Sequence, residues 1–302
     1  VTDPTMLAGG PLADRLTATV ERDVATLRNH DVVPTLGTVL MTDDPTQRRF
    51  MDLKHERCAS LGIETVRVDV PADAPAERCY DAVESLRADD DVTALFVQVP
   101  LPDHVDEQRV RSLVPAGKDV DCFTPENLGR LVAGDPHVVP ATAAAVVRLL
   151  AEYDVETAGR DVVVVGRDAV IARPLAALLS ANGPDGDATV TLCHTATTDL
   201  TAHTRRADVL VTAAGHPGLV DGSMLGEGVV VVDVSATRVQ SDDSDSSGDL
   251  VGDVDAASAR EPASAITPVP GGVGPLTMAS LVRNVVDVTG RAAGLEHVLG
   301  AE

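Results

Sequence analysis

The strings DVVVVG (161–166) and GVVVVDV (228–234) are apolar on successive residues rather than on alternate ones. A strand with one wet face alternates. A strand that is apolar on both sides must be covered on both, as in a parallel sheet between layers of helices. Further β-branched runs at 33–41, 64–70, 92–97, 188–192 and 209–213 are interleaved with helical periods at 12–29, 45–61, 76–88, 141–153, 171–181 and 275–289. This alternation predicts an α/β fold. At 302 residues the chain is long enough for two cores. The stretch VAGDPHVVPAT predicts a boundary near 140, and ITPVPGGVG a second one after it. The acidic segment SDDSDSSGD (241–249) reads as a solvated loop or hairpin tip.

Charge narrows the function. There are 47 acids against 24 strong bases, a formal charge of −23. Such a surface repels nucleic acid and anionic membranes, which excludes both as partners. It also repels itself, unless molar salt shrinks the screening length to roughly 3 Å. With aromatics at 2%, the core is left to Val, Leu, Ala and Ile. High acid, scarce lysine and few large apolar groups together predict a halophilic protein. No apolar stretch approaches the about 18 residues of a membrane span, and no basic-then-apolar leader opens the chain. The four cysteines and eight histidines lie too far apart for a disulfide framework or a metal site. A soluble, reduced, intracellular protein without a metal is expected.

Arginine carries almost all the positive charge; the two lysines are Lys54 and Lys118. Lysine can lose its proton in a desolvated pocket, whereas arginine cannot, so both are candidates for chemistry. The helical neighbours of Lys54 are Phe50, Met51, Arg57 and Cys58, none of them acidic. Desolvation and a like charge would both lower its pKa, the condition for a base or proton shuttle. In LFVQVPLP, Gln98 falls near the C-terminal end of a strand, where open parallel sheets bind ligands. In KDVDCF, Asp121 stands at a polar–apolar border, suited to anchor a ring amine through paired hydrogen bonds.

The segment 161–179 reads strand, tight turn, helix, with Gly166, Arg167 and Asp168 at the turn. The helix start offers unpaired N–H groups to a phosphate. The next strand ends at Cys193-His194-Thr195 without the acid that usually holds a ribose 2′-hydroxyl. With Arg167 nearby, this predicts NADP over NAD. In ITPVPGGVGPLT (266–277), two prolines and three glycines leave a rigid, bare loop before a helix that begins at Pro275.

The Lys54 helix, VQVPLP, KDVD followed by NLGRL, VVGRD with ARP, CHT, VVVDV, VGDV and TPVPGGVGPLT occur in one order from about 33 to 288. On these strings the chain resembles the bifunctional methylenetetrahydrofolate dehydrogenase/methenyltetrahydrofolate cyclohydrolase family, in a haloarchaeal-like form. The resemblance implies two domains flanking a cleft. Residues 1–140, with the helix 275–302, form a catalytic, folate-binding α/β domain, and 141–274 a Rossmann domain for NADP. It implies a cytoplasmic homodimer in one-carbon metabolism serving purine biosynthesis. Lys54, Gln98 and Asp121 fall on its catalytic positions. Phe50, Val97, Val99, Pro270, Gly271, Gly272, Val273 and Gly274 fall on folate contacts. Gly166, Arg167, Asp168, His194, Thr195 and Ala236 fall on cofactor positions. Phe50 replaces the family tyrosine, Cys122 its glycine after KDVD, and Asp168 its serine. The residues leave three alternatives open: a dehydrogenase alone, the same chemistry on another pterin carrier such as tetrahydromethanopterin, and a catalytically silent nucleotide-binding protein.

Overall fold

The structure is a computed structural model, and it describes residues 3–239 and 249–300. Apart from Asp249, the expected acidic loop at 241–249 lies outside the described residues. In chain order the elements are β1 (Thr5–Met6), α1 (Gly10–Asn29), β2 (Thr35–Met41), α2 (Pro45–Ser60), β3 (Glu64–Val70), α3 (Ala76–Ala88) and β4 (Ala94–Val97). Then come α4 (Glu107–Leu113), α5 (Pro125–Val132), α6 (Ala141–Glu152), β5 (Asp161–Val165), α7 (Ala172–Leu179), β6 (Thr189–Cys193), α8 (Leu200–Thr204) and β7 (Val209–Thr212). The series ends with β8 (Val229–Asp233), β9 (Thr237–Val239), β10 (Asp249–Val251), α9 (Ala256–Ala259), β11 (Ala263–Ile266) and α10 (Val273–Ala292).

The described residues fall into two compact units. One holds Asp14–Ala141 and the chain from Met278 onward; the other holds Thr142–Thr277 and the chain up to Ala13. In the first, β3, β2 and β4 form a parallel sheet in that order. The central strand β2 is buried at every residue, as a strand covered on both faces must be. Helix α2 is started by Asp44, whose carboxylate accepts from Thr46 N (2.7 Å), and by Pro45 in the first helical position. Its Met51 and Cys58 pack with Leu36, Leu40 and Phe96 of the sheet and with Val282, Val285 and Val286 of α10. Each large side chain buried this way is worth about 1.5–3 kcal/mol. Arg283 of α10 is buried between Asp23 of α1 and Asp287, so α1 and α10 are also held by a paired charge.

The second unit carries a six-stranded sheet in the order β1-β11-β8-β7-β5-β6, with every pair parallel. Strands β5, β7 and β8 are buried along nearly their whole length, as the valine runs of β5 and β8 require. β9 and β10 form a separate antiparallel pair.

Three expectations are corrected. Residues 3–13, assigned to the catalytic domain, group with the other unit because β1 pairs with β11 and Tyr153 Oη donates to Ala8 O (3.1 Å). Strand β11 was not foreseen: its ASAI sequence lacks the β-branched signature, and the strand is recruited by its neighbour β8. The last helix starts at Val273, not Pro275. A proline in the first turn is tolerated, since those N–H groups have no intrahelical partner.

Candidate active site

Strand β4 turns Phe96 and Val97 to opposite faces, and Gln98 follows directly, its N–H donating to Val39 O (3.0 Å). Phe96 belongs to the α2 side of the core; Val97 is buried in the α3–α4 side, with Val99 packed against it. Gln98 meets α2. Its Oε1 accepts from Lys54 Nζ (3.1 Å), and its Nε2 donates to Val99 O (2.6 Å), so the amide is fixed with its oxygen toward the amine. The Lys54 nitrogen also lies 4.9 Å from the centre of the Phe96 ring.

Burial lowers the Lys54 pKa to about 8, and the charge of Asp121 holds it from falling further. At pH 7 roughly one Lys54 in ten is then neutral. Of the two causes expected from the sequence, burial acts here and the like charge of Arg57 does not. Burial likewise pushes Asp121 up to about 7. The Ala141 N–H, donating to its Oδ1 (2.8 Å), opposes that rise; Asp119 adds to it, and Lys54 and Arg111 work against it. Lys54 and Asp121 are thus two groups with opposite shifts that both titrate near neutrality, a frequent property of proton-transfer sites. One turn before Lys54, Phe50 is 41% exposed and presents a flat apolar face without a hydroxyl.

Sequence reasoning missed what holds Asp121. Asp119 is 1% exposed. Its Oδ1 accepts from the backbone N–H of Asp121 (3.1 Å) and Phe123 (3.0 Å), and its Oδ2 from Thr124 N (2.9 Å) and Asn127 Nδ2 (2.9 Å). The buried Arg111 adds a bond to Phe123 O (2.8 Å) and stacks on the Phe123 ring. Between them, Cys122 sits at φ +52°, a left-handed conformation that costs a side chain about 1–2 kcal/mol. This is where the family pattern has glycine. His55, next to Lys54, was also missed; its ring bridges Thr38 Oγ1 (2.9 Å) and Thr65 Oγ1 (3.0 Å) and ties α2 to β2 and β3. Lys118, proposed for chemistry, is structural. Its Nζ donates to Arg87 O (3.1 Å) and Asp89 O (2.8 Å) at the C-terminal end of α3, where a cation is favoured.

Of the expected folate contacts, Val97, Val99, Gly272 and Val273 have their side chains or Cβ positions turned into the protein. The first two face the core. Gly272 and Val273 are buried, and a Cβ on Gly272 would lie 2.7 Å from Pro268 O and 2.8 Å from Thr267 Cβ. The bareness at Gly272 therefore serves packing. Pro270, Gly271 and Gly274 stay accessible, and Gly271 needs its φ of +109°.

In the other unit, β5 ends at Gly166, with φ +154° and no room for a Cβ, which would lie 2.7 Å from Ala213 O. Beside it Arg167 Nη2 donates to Thr195 Oγ1 (3.2 Å), bringing a cation and a hydroxyl together at the ends of β5 and β6. This bare turn and paired donor set fit a phosphorylated dinucleotide. His194 is occupied locally, its Nδ1 accepting from Ala196 N (3.2 Å). Asp168 departs from the expectation. Its Oδ1 accepts from Val170 N (2.9 Å) and Ile171 N (2.6 Å), and its Oδ2 from Ala172 N (3.3 Å). Its carboxylate thus closes the turn before α7; of the three donors only Ala172 belongs to the helix, whose N-cap Ile171 has no side-chain cap. Ala236 is exposed beyond β8. It follows Ser235, whose Oγ donates to the fully buried Asp253 (2.7 Å) and whose N–H donates to Asp233 (3.1 Å). Asp253 also takes the N–H groups of Ala214 and His216, both at 2.6 Å, so two buried acids shape the ends of β7 and β8.

Comparison with known proteins agrees with this geometry. The family described as tetrahydrofolate dehydrogenase/cyclohydrolase, catalytic domain, matches residues 7–121, and its NAD(P)-binding domain matches residues 140–293. The chain is 48% identical to the "Bifunctional protein FolD" of Natronomonas pharaonis, covering 97% of each. It is 45% identical to that of Halobacterium salinarum, covering 97% of this chain and 99% of the relative. Among solved structures it resembles the Trypanosoma brucei methylenetetrahydrofolate dehydrogenase-cyclohydrolase complexed with NADP cofactor and inhibitor. There the TM-score is 0.90 at 35% identity, over 97% of this chain and 99% of that one. The Campylobacter jejuni bifunctional enzyme gives 0.87 at 34% identity, over 95% and 99%.

Proposed function

Since the chain belongs to the tetrahydrofolate dehydrogenase/cyclohydrolase family, we propose that it oxidises 5,10-methylenetetrahydrofolate with NADP⁺ and hydrolyses the methenyl product to 10-formyltetrahydrofolate. The observation that carries this reading is Lys54, an amine with a pKa of about 8, bonded to an oriented glutamine and acted on by the charge of Asp121. NADP⁺, when bound, supplies the hydride acceptor. Arg167 and Thr195 would hold its 2′-phosphate, and Gly166 would let backbone approach it. Asp121 pairs with the pterin ring amine, and Phe50 offers the ring a flat face. Pro270, Gly271 and Gly274 stay candidates for folate contact.

Neutral Lys54 takes a proton from the water that adds to the methenyl carbon. As an ammonium it hands a proton to N5 when the C–N5 bond opens. The hydroxyl proton of the adduct leaves to solvent, so one proton is released overall. Gln98 keeps the amine aimed throughout.

An assay in molar KCl that records NADPH and methenyl absorbance together tests the reading. It should show methenyl rising and then decaying faster than its uncatalysed rate, with kcat/KM higher for NADP⁺ than for NAD⁺. A clear NAD⁺ preference would overturn the cofactor assignment. Methenyl that accumulates and decays only at the uncatalysed rate would leave a dehydrogenase alone, the second reading that Phe50 favours. Running the assay with tetrahydromethanopterin in place of tetrahydrofolate separates the carriers.

The setting proposed is a salt-rich cytoplasm. Support comes from the charge of −23, from relatives in Natronomonas, Haloarcula and Halobacterium, and from the described residues, among which no helix is long and apolar enough to cross a membrane. Removing KCl should unfold the chain, followed by circular dichroism, as unscreened self-repulsion grows. Indifference to salt would refute the idea. Light scattering in the same titration should give the mass of two chains in high salt, since the family resemblance implies a homodimer and β3 leaves a sheet edge with Val66 exposed. The mass of one chain would refute that.

A further inference from the structure

The loop from β11 into α10 carries Pro270, Gly271 and Gly274, the accessible candidates for folate contact. Between Pro270 and Val273 it has no side chain to anchor it, so its place depends on what its backbone meets. The segment between β1 and α1 supplies that contact from the other end of the chain. Gly9 N donates to Gly271 O (3.0 Å). Gly9 is buried, and a Cβ on it would lie 2.1 Å from Gly272 O. Its φ is not positive, so the missing side chain serves close approach rather than backbone freedom. One side chain pins this segment in turn. Tyr153, directly after α6, accepts from Ala8 N (2.9 Å) and donates to Ala8 O (3.1 Å), so a single hydroxyl holds both polar groups of the residue before Gly9. Leu7 N donates to Ile266 O (2.9 Å) and continues the same seam. All these residues belong to one compact unit.

We propose that Gly9 and Tyr153 are positioning residues for the folate substrate: the strap they form behind Gly271 and Gly272 sets where the loop presents itself. The inference rests on the folate reading above and adds to it two residues outside the cluster of Lys54, Gln98 and Asp121. The loop carries no group that moves a proton, so its contacts act on substrate and transition state alike. Their loss raises KM and leaves kcat in place.

The test is steady-state oxidation of 5,10-methylenetetrahydrofolate at saturating NADP⁺ in molar KCl, by wild type, Tyr153→Phe and Gly9→Ala. Calorimetry gives the NADP⁺ affinity and circular dichroism the melting of the same samples. Tyr153→Phe keeps the ring, and Ala8 N retains Met6 O (3.0 Å) as an acceptor. It should raise the folate KM about fivefold, with kcat and NADP⁺ affinity within about twofold, as expected for lost hydrogen bonds that touch no reacting group. Gly9→Ala must push Gly272 O away and should raise that KM by about tenfold or more. If Gly9→Ala does not fold, Tyr153→Phe decides alone. A Tyr153→Phe protein that melts earlier but keeps the wild-type KM, or that does not fold, shows a purely structural hydroxyl and overturns the proposal. A fall in kcat and NADP⁺ affinity together with the KM change overturns it as well. Absence of any turnover of this substrate by the wild type overturns the folate reading and the proposal together.

Discussion

Lys54→Arg should lower the enzymatic hydrolysis of the methenyl substrate roughly a hundred- to ten-thousand-fold, the range expected for a lost general acid–base group, while NADP⁺ affinity stays within about twofold. The substitution keeps the positive charge and removes only the ability to shed it, since a guanidinium does not deprotonate in a protein. It therefore separates proton transfer from simple electrostatic attraction to the substrate. A pH series sharpens the point. In the wild type, hydrolysis should climb as pH passes from about 7 to about 8, as Asp121 becomes charged and Lys54 becomes neutral. In the arginine variant the limb due to Lys54 should be absent. The same shift has a stability sign. The folded pKa lies below the unfolded value of 10.5, so the unfolded chain binds more protons between about 8 and 10.5. Holding Lys54 in place thus costs stability at neutral pH, and the cost fades as pH rises through that window. Arginine cannot escape that cost, so an unchanged circular dichroism spectrum is the control that the variant still folds. Near-wild-type hydrolysis by Lys54→Arg would remove the assigned role.

How far a sequence discloses such a site depends on the length scale of the cause. The parallel sheet was legible because burial on both faces leaves a local signature, the valine runs of β5 and β8. Lys54 was legible because a lysine without an acid at i±3 or i±4 stands out in so acidic a chain. Asp121 was legible as a candidate in KDVDCF, but its action on the Lys54 charge comes only through the fold. Among the strands that escaped, β1 and β11 are short and carry little β-branched signal, so their neighbours decide them. The folate contacts assigned to Val97 and Val99 could have been questioned from LFVQVPLP itself. Side chains alternate along a strand, and Val97, the last residue of β4, turns into the core opposite Phe96. Lysine scarcity misled at Lys118, where the side chain caps α3. Asp168 shows the reverse limit: its departure from the family pattern is visible in the string GRD, but its grip on three N–H groups is a matter of rotamer and turn geometry that no spacing reveals.

Asp119→Asn should destabilise the unit that contains Lys54 by about 3 kcal/mol, seen as a lower urea midpoint, and should raise the KM for the folate substrate while NADP⁺ affinity changes little. The argument is one of donors and acceptors. Each Asp119 oxygen accepts two bonds, from the N–H groups of Asp121 and Phe123 on one side and from Thr124 N and Asn127 Nδ2 on the other. An amide keeps one of these acceptors and turns the other into a donor, so either orientation sets an NH₂ against two buried donors. The loop from Asp121 to Thr124 then loses half of what holds it, including the restraint that keeps Cys122 at φ +52°. Asp121 feels a second consequence. Asp119 contributes to the rise of its pKa, so removing that charge should move Asp121 back down and shift the acid limb of the folate pH profile toward lower pH. Asp121→Asn is the contrasting variant. Burial of that carboxylate already opposes its charge, so neutralising it should weaken folate binding without the same loss of stability. An Asp119→Asn protein as stable as wild type, with unchanged folate KM and pH profile, would show that the loop does not depend on this carboxylate.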